Sequence, residues 1–337
     1  MRENRSQNYA RNENLENLLK ELSELLGPVE DFVESRFNVP RYPILFVVGG
    51  PRSGSTVTMQ FLAASGAFAY PSNLLSRFYR APYVGARIQQ MLTDPAYDFK
   101  GEFQAFQHTI PFDSDLGKSK GVLAPNEFWY YWRRFIPIVE PSKMTPEQEP
   151  KVNTFGFAAG FAAIESVFNK PVATKGMLLE QNIPFVDSIF SSGALFLNMH
   201  RKPFYNIQSL LECREKFFGD RKKWYSIKTP QYEELSKLDP IAQVVGQVYF
   251  KNKEVESGLN SIPDTHSLTI AYEDFCENPS LVYKQIQVAY SSFGVELPID
   301  YTGPERLTSG NVVRLTDSDV EAIRSAWKEF GGEDLDL

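Results

Sequence analysis

A chain of 337 residues, 42% of them hydrophobic, can bury a large core, and α/β folds of this length commonly form one domain. The net charge of −7 excludes a broad basic face for nucleic acid, so an anionic ligand has to be held by local cations. Cys213 and Cys276 form no C-x-x-C pair, which argues against a zinc site or structural disulfide. The polar N-terminus and the lack of a bilayer-length apolar run make the cytoplasm the default location.

Residues 1–13 are polar and are expected to form a disordered tail, with the folded domain over 14–337. Apolar residues at 15, 18, 19, 22, 25 and 26 predict an amphipathic helix over Leu15–Leu26, a surface brace or partner contact. The run ILFVVGGPRSGSTVTMQFLAASG, Ile44 to Gly66, then reads as a strand, a Gly/Pro turn and a helix. Such a loop aims backbone N–H groups and the positive end of a helix dipole at one spot, which makes an anion site before any side chain is counted. Arg52, Ser53, Ser55 and Thr56 add a cation and three hydroxyls. The spacing from Gly49 to Gly54 is that of a nucleotide phosphate loop, but Ser55 stands where G-x-x-x-x-G-K-[ST] has Lys. This argues against a nucleotide kinase or triphosphatase and for a different phosphorylated ligand; taken alone, the loop is also readable as a Gly-rich turn with no ligand.

A short strand is predicted at Ala67–Tyr70, after which residues 72–150 lose the βα rhythm and become rich in aromatics, among them Phe103, Phe106, Phe128, Trp129, Tyr130, Tyr131 and Trp132. We read this region as a helical insertion over the ligand-binding face, most of whose aromatics pack against one another. The rhythm resumes with a helix at Phe155–Phe168, a strand at Pro171–Lys175, a helix at Ile183–Phe190 and a strong apolar strand at Ala194–Met199. That strand runs into HRKPFYNIQS, where Pro203 suits a first helical position. Residues 231–258 read as mostly helical, with Pro240 starting or breaking a segment. A last strand at Ser267–Tyr272 leads through EDFCENP to a helix near Ser280–Tyr290, and Thr316 with Asp319 marks the start of a final helix reaching Phe330.

The segment PRSGST, Pro51–Thr56, resembles the P-[KR]-S-G-[ST]-[ST] loop of sulfotransferases that use 3′-phosphoadenosine 5′-phosphosulfate (PAPS). That resemblance implies that Pro51, Arg52, Ser53, Gly54, Ser55 and Thr56 hold the 5′-phosphosulfate. It also implies that Arg201, at a strand end, and Ser209, eight residues on, bind the 3′-phosphate; a guanidinium fork with a nearby hydroxyl suits a phosphate. TIAYEDFCENP resembles the family's Y-E-D segment, which implies that Tyr272 lies near the adenine; a strand-end core aromatic is the alternative. RLTSGNVV falls where the family has a loop closing over the 3′-phosphate, with Arg306, Ser309 and Gly310 as donors, or it is a linker.

Lys175 matches the family's K-T-H, which implies that it lies near the transferring sulfuryl group, but the His position reads Met177, and a thioether cannot take a proton at neutral pH. A general base is therefore expected elsewhere, as in carbohydrate-directed relatives that use a Glu. Glu127, set among aromatics that would desolvate it, and His108 are the candidates, whereas His200 and His266 read as structural. The expectation is a single P-loop-like α/β domain with a central parallel sheet flanked by helices and an aromatic-rich helical insertion at about 72–150 forming part of the acceptor site. Its implied chemistry is metal-free transfer from PAPS, leaving 3′,5′-ADP, to a hydroxyl or amine of a small-molecule, carbohydrate or lipid-like acceptor. A nucleotide kinase and a catalytically silent nucleotide-binding scaffold are the alternatives.

Overall fold

The computed structural model describes residues 6, 9–106, 110, 112–136, 143–176 and 178–337. In chain order the regular elements begin with α1 (Glu13–Glu34), β1 (Ile44–Val48), α2 (Ser55–Ala64), α3 (Pro82–Thr93), β2 (Ser114–Asp115), β3 (Lys118–Ser119), α4 (Trp129–Phe135) and α5 (Thr154–Phe168). They continue with β4 (Ala173–Lys175), α6 (Ile183–Ile189), β5 (Ala194–His200), α7 (Pro203–Phe218), α8 (Tyr232–Leu235), α9 (Pro240–Leu259), β6 (Ser267–Ala271), α10 (Tyr272–Glu277), α11 (Pro279–Ser292) and α12 (Asp317–Glu329).

Four strands form the central sheet in the order β4-β1-β5-β6, and every pairing is parallel, as expected of a βα alternation. β1 is buried along its whole length, and its residues alternate between the two faces. Ile44, Phe46 and Val48 pack with α4, α5 and α6 on one side, while Leu45 and Val47 meet Met59, Phe61 and Leu62 of α2 and Tyr283 and Ile286 of α11 on the other. A third cluster joins α7, α9 and α12 through Phe204, Leu211, Val244, Val248 and Trp327.

Helix signals in the sequence act as expected. Pro203 and Pro240 are first-turn residues, Asp239 caps α9, and the Thr316 hydroxyl accepts the Asp319 N–H at the start of α12. Two readings change. The strand expected at Ala67–Tyr70 is a single parallel bridge, Ala69 to Val172. α1 continues through Pro28 to Glu34, so the proline costs one backbone hydrogen bond without ending the helix. The segment at 231–258 is helical and is divided at Pro240 as expected, with Asp239 capping the second helix.

The 72–150 region breaks the βα rhythm and divides in two. Phe128, Tyr131, Trp132 and Phe135 enter the core beneath the sheet in one cluster with Phe157 and Phe161 of α5, Phe128 stacked on Tyr131 and Tyr131 on Phe157, whereas the short β2–β3 hairpin stays at the surface. Within the expected tail, the Tyr9 hydroxyl donates to Asp115 Oδ2 at 2.7 Å and its ring lies 4.8 Å from that of Phe217.

α1 is tied to α3 by Glu30, whose buried carboxylate accepts the Tyr83 N–H at 2.7 Å and the Val84 N–H at 3.4 Å, taking up donors in the first turn of α3. Burial pushes its carboxyl from 4.5 up to about 7, the two backbone N–H groups opposing the rise. The folded state therefore holds this proton after the unfolded chain has lost it, and stability falls as pH rises from 4.5 to about 7. Glu30→Gln keeps one carbonyl acceptor and removes the charge. It is expected to raise the melting temperature at about pH 8 and to leave it unchanged near about pH 4, as checked by thermal unfolding across that range.

Candidate active site

Because the sheet is parallel, the C-terminal ends of its strands share one edge, where α/β proteins bind ligands. β1 runs into the Gly49–Gly54 loop, β4 ends at Lys175, β5 runs into Arg201 and β6 into Tyr272. Four stretches far apart in sequence are thereby brought together.

The loop needs unusual backbone geometry. Gly49 has φ +137° and a side chain there would lie 2.4 Å from the Met199 carbonyl oxygen; Gly54 has φ +98° and a Cβ there would lie 2.5 Å from the Tyr272 ring. Arg52 adopts φ +66°, rare for a residue with a side chain, and thereby lies on the side of Ser209, with its Nε donating to the Ser209 hydroxyl at 3.0 Å. Ser53 is buried and its hydroxyl has no hydrogen-bond partner among the described residues, at the entry to α2. An anion at this helix N-terminus would supply one.

Arg201 is 8% exposed, and burial lowers its pKa from the usual guanidinium value. Its Nη1 donates to the Arg52 carbonyl at 3.0 Å, its Nε donates to Asn311 Oδ1 at 2.8 Å, and its guanidinium carbon lies 4.7 Å from the centre of the Tyr272 ring. Neither Arg52 nor Arg201 has a carboxylate partner among the described residues. Glu273 is held one residue away by Asn311, whose Nδ2 donates to it at 2.6 Å. Two guanidiniums and Ser209 thus converge beside the loop with positive charge uncompensated.

Lys175 is 4% exposed, and its Nζ donates to Thr56 Oγ1 at 2.7 Å and to Glu127 Oε1 at 3.1 Å. Glu127 is not enclosed by the rings next to it in sequence. Phe128 takes φ +52° and turns into the core, leaving the Glu127 side chain 43% exposed and facing Lys175. The tip of the β2–β3 hairpin reaches the same place, with the Gly117 carbonyl accepting from Thr56 Oγ1 at 3.4 Å.

The C-terminal loop divides. Gly310 N–H donates to the Tyr272 hydroxyl at 3.1 Å and the residue lies against Arg201, where a Cβ would be 3.4 Å from Nη2, while Ser309 accepts from the Asn311 N–H at 3.2 Å in the same loop. Arg306 does not join them, because it is exposed and its Nη2 lies 3.8 Å from Glu277. Sequence reasoning missed Asn311, Asn206, whose Nδ2 donates to the Pro51 carbonyl at 2.8 Å, and Arg314, whose fork grips Glu212 at 2.7 and 3.0 Å and anchors this loop to α7. The i,i+3 pairing of Asn206 with Ser209 on one face of α7 was the available signal for Asn206. His266 pairs with Asp187 at 2.7 Å, away from these groups, and His108 and Met177 lie outside the described residues.

The family model for sulfotransferases matches residues 43–297, which carry the Gly49–Gly54 loop, Lys175, Arg201, Ser209 and Tyr272. The chain belongs to the sulfotransferase family. Among solved structures, a sulfotransferase of Mycobacterium avium is similar at 14% identity and a TM-score of 0.55, over 96% of this chain and 86% of that one. A sulfotransferase of Mycobacterium tuberculosis is similar at 14% identity and a TM-score of 0.49, over 90% of this chain and 75% of that one. Among curated proteins there is no match. The likeness to the Mycobacterium avium structure is one of fold, and the site of this sulfotransferase rests on its own geometry. Among the described residues no helix is long and apolar enough to cross a membrane.

Gly54→Ala would place a methyl group 2.5 Å from Tyr272 at φ +98°. The expected cost is about 1–3 kcal/mol of folding stability, measured by urea unfolding, with wild-type stability as the outcome that contradicts the loop geometry.

Proposed function

We propose that this sulfotransferase uses PAPS and transfers its sulfuryl group to a hydroxyl or amine of a small-molecule, carbohydrate or lipid-like acceptor. The observation that carries the reading is the convergence of Arg52 and Arg201, without carboxylate partners among the described residues, on Ser209 beside a strand–loop–helix anion site. Two anionic groups on one ligand suit two such cations. In this proposal the loop N–H groups, Ser53, Ser55 and Thr56 hold the 5′-phosphosulfate with Arg52, while Arg201, Ser209, Ser309 and Gly310 hold the 3′-phosphate. Tyr272, which resemblance places near adenine, also supports the Arg201 guanidinium from below.

PAPS supplies a sulfuryl group already activated as a mixed anhydride with phosphate. Lys175, shared between Thr56 and Glu127, is positioned to neutralise charge that builds on the leaving phosphate oxygen. Glu127 takes the acceptor's proton; its half-exposed carboxylate leaves one side open to an incoming hydroxyl. The cations of the site are sufficient for these roles, so turnover is expected to persist in EDTA. A cytoplasmic location belongs to the same proposal.

3′,5′-ADP should raise the melting temperature well above the shift given by ATP at equal concentration. Arg201→Ala should weaken 3′,5′-ADP binding by about 2–4 kcal/mol and hardly change binding of adenosine 5′-phosphosulfate, measured by calorimetry. Equal shifts with ATP and 3′,5′-ADP would move the assignment toward a nucleotide kinase.

Glu127→Gln keeps the shape and removes the base. Turnover of labelled PAPS with an accepted alcohol should fall about a hundredfold or more while 3′,5′-ADP affinity stays within a few-fold of wild type. Wild-type turnover in Glu127→Gln, with loss in His108→Ala, would transfer the role to His108.

A further inference from the structure

No residue of α1 belongs to the candidate active site, yet the helix is fastened firmly along one side. Leu19 and Val33 are buried, the Glu30 carboxylate accepts the Tyr83 and Val84 N–H groups, and Arg80 Nη2 donates to both oxygens of Asp31 at 2.7 and 2.8 Å. The Tyr130 hydroxyl donates to Glu16 near the other end. Beside this docked side runs a row of apolar residues, Leu15, Leu18, Leu22, Leu25, Val29 and Phe32. Leu18 is 49% exposed, Leu25 64%, Val29 51% and Phe32 65%, while Leu15 and Leu22 are half-buried. A rigid helix thus holds its second apolar face in solvent.

The spacing of that row is specific. Its steps of three, four, three, four and three residues fill consecutive a and d positions of a heptad, the repeat with which one helix receives the side chains of another. The positions flanking the row are Leu19, Leu26 and Val33 on the docked side and Asn14, Glu21, Pro28 and Ser35 on the other. Glu21 is the one charged residue among these. A second α1 laid along the row therefore sets no carboxylate against another at the flanks: Glu21 meets Leu26 of the other copy when the helices run parallel and Pro28 when they run antiparallel. Glu24 and Asp31, one step further out, join Glu21 in an exposed acidic rim, which opposes a negatively charged bilayer surface. The apolar series ends where its next positions are Arg11 and Arg36, and the Arg36 guanidinium lies 4.9 Å from the centre of the Phe32 ring. The row is roughly 26 Å long at 1.5 Å per residue. Two helices meeting over that length bury on the order of 1,000 Å² in total, the lower limit of a specific contact, so the association is weak.

We propose that the Leu15–Phe32 row is a self-association surface, on which a second copy of this chain seats its own α1 to form a two-fold helix pair. The contact is isologous, so the one exposed row serves both copies and leaves no apolar face over. Because α1 is already fixed to its own domain, little ordering cost opposes the pairing.

The test is analytical ultracentrifugation of the full chain from about 1 to 300 µM, where wild type should pass from monomer to dimer with a dissociation constant on the order of 10–100 µM. Leu25→Glu should weaken the dimer at least tenfold, and Phe32→Ser, which removes a second exposed side chain of the row without adding charge, should weaken it in the same direction. Both positions are more than half exposed, so the two variants should melt within about 2 °C of wild type. Ile299→Ser, at an 89% exposed apolar position beyond α11, should associate as wild type does. Wild type that stays monomeric throughout, or variants Leu25→Glu and Phe32→Ser that associate unchanged, overturns the proposal. So does flotation of wild type, but not of Leu25→Glu, with phosphatidylglycerol vesicles in the absence of self-association, which would give the row to a membrane surface.

Discussion

Parallel hydrogen bonding of β1 to β4 on one side and β5 on the other is the constraint on which the candidate site depends. β1 is paired on both edges and buried on both faces, so the loop beyond it starts from one of the most rigid points in the molecule. Parallel strands end on the same edge, which puts Lys175 on one side of that loop and Arg201 on the other. An antiparallel neighbour at either position would send its strand end, and its cation, to the opposite edge. The direction of the strands therefore decides which charges meet.

Those charges are concentrated against the overall balance of the chain, which is acidic. Arg201 is buried without a carboxylate partner among the described residues, at a cost that its lowered pKa records, and Asn311 stands between it and Glu273. A directly paired Arg201 would be better compensated in the empty protein and worse at receiving an anion. The strained backbone at Arg52 belongs to the same compromise: φ +66° costs stability and turns the guanidinium toward Ser209. Local sacrifice of stability at a binding site is what consistency elsewhere in the fold makes tolerable.

The region between α2 and α5 shows how one segment serves both core and site. A left-handed residue at Phe128 separates the two tasks, sending its own ring beneath β1 and leaving Glu127 facing Lys175. Four aromatics from 128 to 135 are thereby used as packing against α5, so the carboxylate rests on a rigid support although it is not buried. The acidic chain also keeps carboxyls inside, among them Glu30 and Glu165, and both accept backbone N–H groups, Glu30 those of Tyr83 and Val84 and Glu165 those of Arg41 and Tyr42.

The βα alternation and the strand–loop–helix at Ile44–Gly66 were legible in the sequence because they are written in local spacing, in apolar runs and turn residues, whereas Lys175, Arg201, Ser209 and Tyr272 were singled out by the resemblance to sulfotransferases. The single bridge at Ala69 reads as a strand in the sequence because whether an edge segment pairs over several residues depends on its neighbour, not on its own pattern. Asn311 reaches Arg201 across 110 residues, Glu180 reaches Lys251 across two elements, and Arg306 turns to Glu277. No periodicity encodes such meetings. They arise where the parallel sheet and the helices packed on it bring distant polar side chains into a low-dielectric space in which each must find a partner, and only the tertiary structure decides which partner it finds.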